Sequence, residues 1–277
     1  MRRATGAREA TACDHRRQHG PASLWTGGRQ GGRGELNCSR IEGIRRWIAP
    51  FVFGIAVAIV PGVALAADGG STRYLHELYG VGAQYDVVYG SAVDDSGERQ
   101  DLLLDLYQPV GDVALARPVL IYAHGGAFTK GTKDSGHDAP YTIAYASRGF
   151  VAASIDYRLD GSEQEATDDM QAAVRWFRAH ASELRIDPER IGVIGSSSGA
   201  EMAMSTTFAP EDAGDSGNPG YPSDVAAGMA ISGDAKHPET ITAGDPPIAM
   251  FHALDDTTIP YARAEATCQE TQAMGNV

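Results

Sequence analysis

Gly195-Ser196-Ser197-Ser198-Gly199 is the segment of this chain whose residue types and spacing best suit chemistry. It lies between an apolar run, Ile191-Gly192-Val193-Ile194, and a stretch of small residues, Ala200 to Phe208. Strand, tight turn and helix form the setting in which a Gly-x-Ser-x-Gly segment lifts its middle serine clear of the sheet. The flanking positions must be small so that the chain does not collide with itself, and the hydroxyl of Ser197 is then exposed as a nucleophile. The competing reading is a flexible Gly/Ser loop, and the flanking elements count against it.

A second segment supplies what a serine nucleophile needs. Pro118 to Ala123 is an apolar run leading into His124-Gly125-Gly126-Ala127-Phe128. Glycines after a buried strand let backbone N–H groups approach a substrate closely. The amides of Gly125 and Gly126, with that of Ser198 at a helix N-terminus, form an expected oxyanion hole for a tetrahedral intermediate. A third apolar run, Ile248 to Leu254, ends in Asp255-Asp256-Thr257-Thr258-Ile259-Pro260. An acid that orients a catalytic histidine follows the serine in this chain order.

These segments, with Asp156-Tyr157-Arg158, make the chain resemble the α/β-hydrolases, in particular the serine carboxylesterase/lipase group with a His-Gly-Gly oxyanion motif. The resemblance covers roughly residues 80–277. It implies an α/β-hydrolase fold, a mostly parallel sheet flanked by helices, and hydrolysis of carboxylic esters through an acyl-enzyme on Ser197. Matched residue by residue, the family's last motif places the acid at Asp256, with Asp255 the fallback, and makes Asp156-Tyr157-Arg158 a support for the oxyanion loop. No cofactor and no metal is implied. Asp255, Asp256 and His252 form a loose cluster without further ligands at a fixed spacing.

The family's catalytic histidine follows the acid, and no histidine follows Asp256 here. Tyr261 to Met274 reads as a helix closed by Gly275. The expectation is therefore a C-terminally truncated domain that lacks strand eight and the general base, and an inactive chain as given, since an unassisted serine hydroxyl is barely ionised. His124 belongs to the oxyanion segment. His252 stands only four residues before Asp256, a spacing suited to stabilising the loop rather than to reaching Ser197. Glu201 either faces the site or is solvated on the helix.

The elements that must position these residues read clearly. Tyr85–Tyr89 and Leu102–Tyr107 are expected as the first two, antiparallel strands, joined by a polar turn at 94–97. Continuous apolar runs at 119–123, 150–155, 191–194, 225–231 and 248–252 suit parallel strands buried on both faces. Helical patterns alternate with them, the clearest over Glu163 to Leu184, as an α/β fold requires. The Gly-, Pro- and Asp-rich segment 209–223 is the longest loop, and the resemblance places it near the mouth of the site.

The N-terminal part is of another kind. Residues 1–40 are rich in Arg and Gly without apolar periodicity, and read as a disordered or mis-started extension. Residues 41–66 read as a signal peptide: basic Arg45-Arg46, an apolar core, and Ala64-Leu65-Ala66 for cleavage after Ala66 or Ala67. A membrane anchor is the rival, since Trp47 to Ala66 is long enough to span a bilayer. Residues 67–277 are then a single hydrolase domain, secreted or periplasmic. The first 66 residues hold 10 of the 23 Lys and Arg and 4 of the 36 Asp and Glu, which leaves the domain at −19. That charge argues against nucleic acid and anionic membranes as partners and leaves a small-molecule ester. Cys13 and Cys38 fall in the removed part, so the mature form would keep Cys268 alone.

Two other readings are set against the esterase. One is a non-catalytic hydrolase-fold binding protein, supported by the absent histidine. The other is a nucleotide-binding domain built on Gly192, Gly195 and Gly199, but its glycine spacing and its position after four strands do not match a dinucleotide fingerprint.

Overall fold

The computed structural model describes residues 33–36, 72–94, 96–135, 138–159, 162–210 and 214–276. The segment read as a signal peptide, 41–66, lies outside them.

One eight-stranded sheet carries the molecule. Its strands are β1 (Arg33–Leu36), β2 (Gly80–Val93), β3 (Arg99–Val110), β4 (Arg117–Ala123), β5 (Val151–Ile155), β6 (Ile186–Ser196), β7 (Ala227–Ile231) and β8 (Ile248–Ala253). Across the sheet the order is β2-β3-β5-β4-β6-β7-β8-β1. β2, β3 and β5 pair antiparallel, β5 through β8 pair parallel, and β1 lies antiparallel on β8. This is the expected α/β-hydrolase architecture; the central strands β5 and β6 are buried on both faces, whereas β7 and β8 keep exposed or half-buried positions. All of β5 is buried, as are Ile191 to Ile194 of β6.

Among the described residues five α-helices flank the sheet: α1 (Asp138–Ala146), α2 (Glu163–Ala179), α3 (Ala181–Leu184), α4 (Ser198–Phe208) and α5 (Tyr261–Ala273). α2 begins with a capping box, in which Ser162 Oγ accepts the Glu165 amide and the Glu165 carboxylate accepts the Ser162 amide. The sequence predicts one helix to Leu184, but α2 stops at Ala179. The Trp176 carbonyl accepts both the backbone N–H and the ring Nδ1–H of His180, and the chain leaves helical geometry there. α5 ends close to expectation, with Gly275 at φ +78° just past it.

Two expectations are corrected. The seventh strand of the hydrolase domain, β8, was expected to have no outer neighbour, and residues 1–40 no element. Instead Arg33 to Leu36 pair with Ala253 to Met250 and cover that edge. The described residues of the loop 209–223 are tied to α2 and β2. Arg175 and Arg178 donate to the carbonyls of Gly217, Pro222 and Asp224, and Asn218 donates to those of Tyr89 and Ala172. None of its hydrogen bonds among the described residues reaches Ser197. Cys268 is disulfide-bonded.

An uncovered strand edge leaves its N–H groups to solvent. A chain lacking residues 1–40 is expected to exchange the backbone amides of Ile248–Ala253 faster, with those of β6 unchanged. Hydrogen exchange resolved by peptide mass checks this.

Candidate active site

The site is assembled where the strand order reverses. β4 leads to β5 on one side, β6 leads to β7 on the other, and β4 and β6 are neighbours. Ligands of open α/β sheets bind in the crevice at such a point, beyond the C-terminal ends of the strands. Ala123 is in register with Gly195, so the His-Gly-Gly segment and the Gly-x-Ser-x-Gly segment leave the sheet side by side.

Ser197 sits at φ 53°, ψ −121° between β6 and α4. This is a strained conformation for an L-residue, of the kind that persists where surrounding structure enforces it. Its N–H donates to the Ile231 carbonyl at 2.9 Å, and its own carbonyl accepts the amides of Ala200 and Glu201. The two glycines of the motif are required by contact. A Cβ on Gly195 would collide with the Gly199 carbonyl, and one on Gly199 with the carbonyls of Ala123 and His124. Ser197 Oγ makes no hydrogen bond among the described residues.

The loop after β4 lies against this turn. A Cβ on Gly125 would stand 2.9 Å from the Ser196 carbonyl oxygen and 3.1 Å from Ser197 Cβ. Gly126, Ala127 and Phe128 follow with φ of 141°, 54° and 61°, three successive residues in a region that only glycine occupies freely. Among the described residues the amides of Gly125, Gly126 and Ser198 donate to no protein acceptor. Three unspent N–H donors beside one serine hydroxyl are the parts of an oxyanion hole. Buried His124 donates from Nδ1 to the Gly125 carbonyl at 2.9 Å and stacks on Tyr157 with ring centroids 4.3 Å apart. Tyr157 Oη donates to the His124 carbonyl at 2.9 Å and lies 3.4 Å from Ser198 Oγ.

The Asp156-Tyr157-Arg158 tripeptide divides its work. Asp156 and Tyr157 touch the loop after β4, while Arg158 faces away. Arg158 pairs with fully buried Asp169 at 2.9 Å and donates to the carbonyls of Val93 and Glu165.

The acid loop follows β8. Asp256 turns Oδ1 to the amides of Thr258 and Ile259, at 2.8 and 2.9 Å, and its Oδ2 is 3.6 Å from His252 Nε2. His252 is buried and donates from Nε2 to the Ile259 carbonyl at 2.7 Å. It thereby holds the loop that carries the acid. Asp255 is exposed. None of the five described histidines hydrogen-bonds Ser197. His124, His180, His237 and His252 bond elsewhere, and His76 is exposed. No three His, Cys, Asp or Glu side chains among the described residues could hold a metal ion together.

Residues that sequence reasoning left undecided or missed cluster at the first turn of the helix after the serine. Glu201, one helical turn past Ser197, is buried rather than solvated. It pairs with Lys236 at 3.2 Å and Arg263 at 3.6 Å, and Arg263 in turn pairs with buried Asp234 at 3.0 Å. Lys236 also pairs with Glu163 and stands 5.3 Å over the Phe128 ring. Burial pushes the Glu201 carboxyl above the ordinary glutamate range, against the pull of Lys236. The four-residue spacing from Ser197 to Glu201 was the available signal. The partners come from distant segments that no local pattern connects.

Comparisons with known proteins fit this arrangement. The BD-FAE family model matches residues 104–218. The carboxylesterase NlhH of Mycobacterium tuberculosis is 37% identical over 100 residues, 35% of this chain and 31% of that protein. An ethyl acetate hydrolase of Pseudomonas putida is 37% identical over 101 residues, again 35% and 31%. The matched region thus spans about a third of these relatives' own length. The structure of Thermogutta terrifontis esterase 2 phosphorylated by paraoxon superposes with a TM-score of 0.62 at 26% identity, covering 70% of this chain and 79% of that one. The fold is that of the α/β-hydrolases, and over the matched region the chain is similar to esterases of that fold. The juxtaposition of Gly125 and Ser197 is the part of the geometry that bears most directly on chemistry.

Gly125→Ala is expected to lower the melting temperature, because the added methyl would stand 2.9 Å from the Ser196 carbonyl oxygen and 3.1 Å from Ser197 Cβ, and overpacking of this kind costs about 1–3 kcal/mol. Thermal unfolding beside wild type checks this. A raised carboxyl pKa in the folded state means that the folded chain binds more protons than the unfolded one above the ordinary glutamate range. Stability therefore falls as pH rises from that range through the raised value of Glu201. Glu201→Gln is expected to flatten this part of the pH–melting curve, and a curve unchanged in slope would count against it.

Proposed function

We propose that this chain carries the acyl-transfer site of an exported carboxylic ester hydrolase. The observation that carries the reading is the placement of Ser197 in a strained turn beside the unspent amides of Gly125, Gly126 and Ser198. In this mechanism Ser197 Oγ attacks the ester carbonyl carbon, and the resulting oxyanion is held by those three amides. Collapse of the tetrahedral species expels the alcohol and leaves an acyl-enzyme on Ser197. Water then attacks the same carbon, and the carboxylic acid departs with Ser197 restored. Asp256 is the acid that orients the imidazole acting as general base, and its Oδ2 is the oxygen not committed to its own loop's amides. That imidazole belongs to none of the described residues. By itself the 277-residue chain is expected to turn ester over slowly or not at all.

Export is proposed from the sequence of residues 41–66. Cleavage after Ala66 or Ala67 would separate β1 from the sheet, and N-terminal sequencing of protein recovered outside the cytoplasm tests it. A chain starting at Met1 there would overturn the proposal.

The absence of a histidine bonded to Ser197 favours a second reading, a hydrolase-fold protein that binds without catalysis. In the family-length protein a fluorophosphonate probe separates the two, since it marks a reactive serine and spares an inert one. In the family-length protein, Ser197→Ala is expected to cost on the order of 10⁶-fold in kcat, and Asp256→Asn about 10⁴-fold, while Asp255→Asn has a mild effect. Full activity in Ser197→Ala would refute the assignment.

A further inference from the structure

The segment from His124 to Lys133 carries the oxyanion amides, and four of its residues, Gly126, Ala127, Phe128 and Gly131, have positive φ. Such a segment does not hold its shape through local preference, so something outside it must. At its start, His124 is fixed by Tyr157. At its end stands Lys133, a lysine only 8% exposed.

Lys133 is gripped by side chain and backbone together. Its Nζ lies 2.8 Å from Asp86 Oδ1, 3.2 Å from Asp105 Oδ1 and 3.9 Å from Asp156 Oδ2. Its backbone N–H donates to Asp156 Oδ1 at 2.5 Å, and its carbonyl accepts Ser154 Oγ at 2.6 Å. These partners come from β2, β3, β5 and the residue following β5. Asp86 is itself presented by an irregularity in β2, where its φ is 55° and its amide donates to Asp105 Oδ1 at 3.1 Å. Burial works against the lysine's charge, but Asp86 and Asp105 raise its pKa above the ordinary lysine value, and it remains a cation.

From this geometry we infer that Lys133 is a positioning residue for ester hydrolysis: it anchors the far end of the oxyanion loop to β2, β3 and β5, and so fixes the Gly125 and Gly126 amides against Ser197. The inference rests on the acyl-transfer reading above for its chemistry, but not for its mechanics. Lys133 touches no reacting atom. Its effect travels through a loop whose other end abuts the nucleophile, and a displacement of about 1 Å there is enough to cost much of an oxyanion hole's effect.

Removing the lysine alone would leave buried Asp105 and half-buried Asp156 without their shared cation, and Lys133→Met could fail to fold for that reason. The test therefore uses Lys133→Met/Asp105→Asn, which removes the cation together with one negative charge and keeps an acceptor for the Asp86 amide. Two readouts are taken on the full chain. In hydrogen exchange, the double variant is expected to exchange amides 125–132 at least about 10-fold faster than wild type, with β6 and α4 unchanged. In fluorophosphonate labelling of Ser197, the rate at saturating probe is expected to fall about 10- to 100-fold while the half-saturating concentration stays the same. A change confined to general stability would raise exchange in β6 and α4 as well. Wild-type protection over 125–132 in the double variant overturns the inference, and so does faster loop exchange with a wild-type labelling rate. If wild type is no more reactive than Ser197→Ala, the chain lacks the activated serine that labelling reads, and the exchange comparison alone decides whether Lys133 is the anchor.

Discussion

The parallel pairing of β4 with β6 is the constraint on which the rest of the site depends. Ala123 opposite Gly195 sets two chain exits side by side at the C-terminal edge of the sheet. Everything downstream is fitted to the narrow space between them. Gly199 is a glycine because the carbonyls of Ala123 and His124 lie where its side chain would be, and Gly125 because Ser197 does. Interiors packed at crystal density leave no slack for an extra methyl in such a place. The strain at Ser197 and across Gly126–Phe128 is sustained by this packing and gives back a fixed geometry around one hydroxyl.

Buried charge serves the same end on both sides of the crevice. Arg158 with Asp169 ties the first turn of α2 to the end of β2. Lys133 with Asp86, Asp105 and Asp156 ties the loop after β4 to the antiparallel half of the sheet. Glu201 with Lys236 and Arg263 ties α4 to α5 and to the segment after β7. Ion pairs withdrawn from water are weak sources of net stability, because desolvation offsets much of their attraction. They do discriminate sharply against alternative arrangements, since a displaced partner leaves a buried charge alone. In this chain they stand at the joints between elements that hold a strained turn, which suits that role better than general stabilisation.

The fold was legible to a large extent. Apolar runs without alternation marked β4 to β8, and the switch to helical spacing marked α2, because burial on two faces and burial on one leave different periods in a sequence. What was misjudged depended on long-range contact. The end of α2 was set by one imidazole reaching a carbonyl a turn away. The outer edge of β8 was covered by four residues from a segment with no periodicity of its own. Within the site, Ser197, Gly125, Gly126, Ser198 and Asp256 could be named from motifs. Lys133 and the partners of Glu201 could not, since lysines and glutamates are ordinary surface residues until their surroundings are known.

The sequence by itself determined which groups were available: a serine between glycines after a strand, a glycine pair after another, and an acid after a third. It did so because tight turns and close backbone approach admit few residue types, and those types appear as local patterns. Only the tertiary structure decided that β4 and β6 are neighbours, that Gly125 faces Ser197, and that a buried lysine holds the loop between them. Strand order, register and the burial of charge are set by contacts between residues far apart in the chain, and no local pattern encodes them.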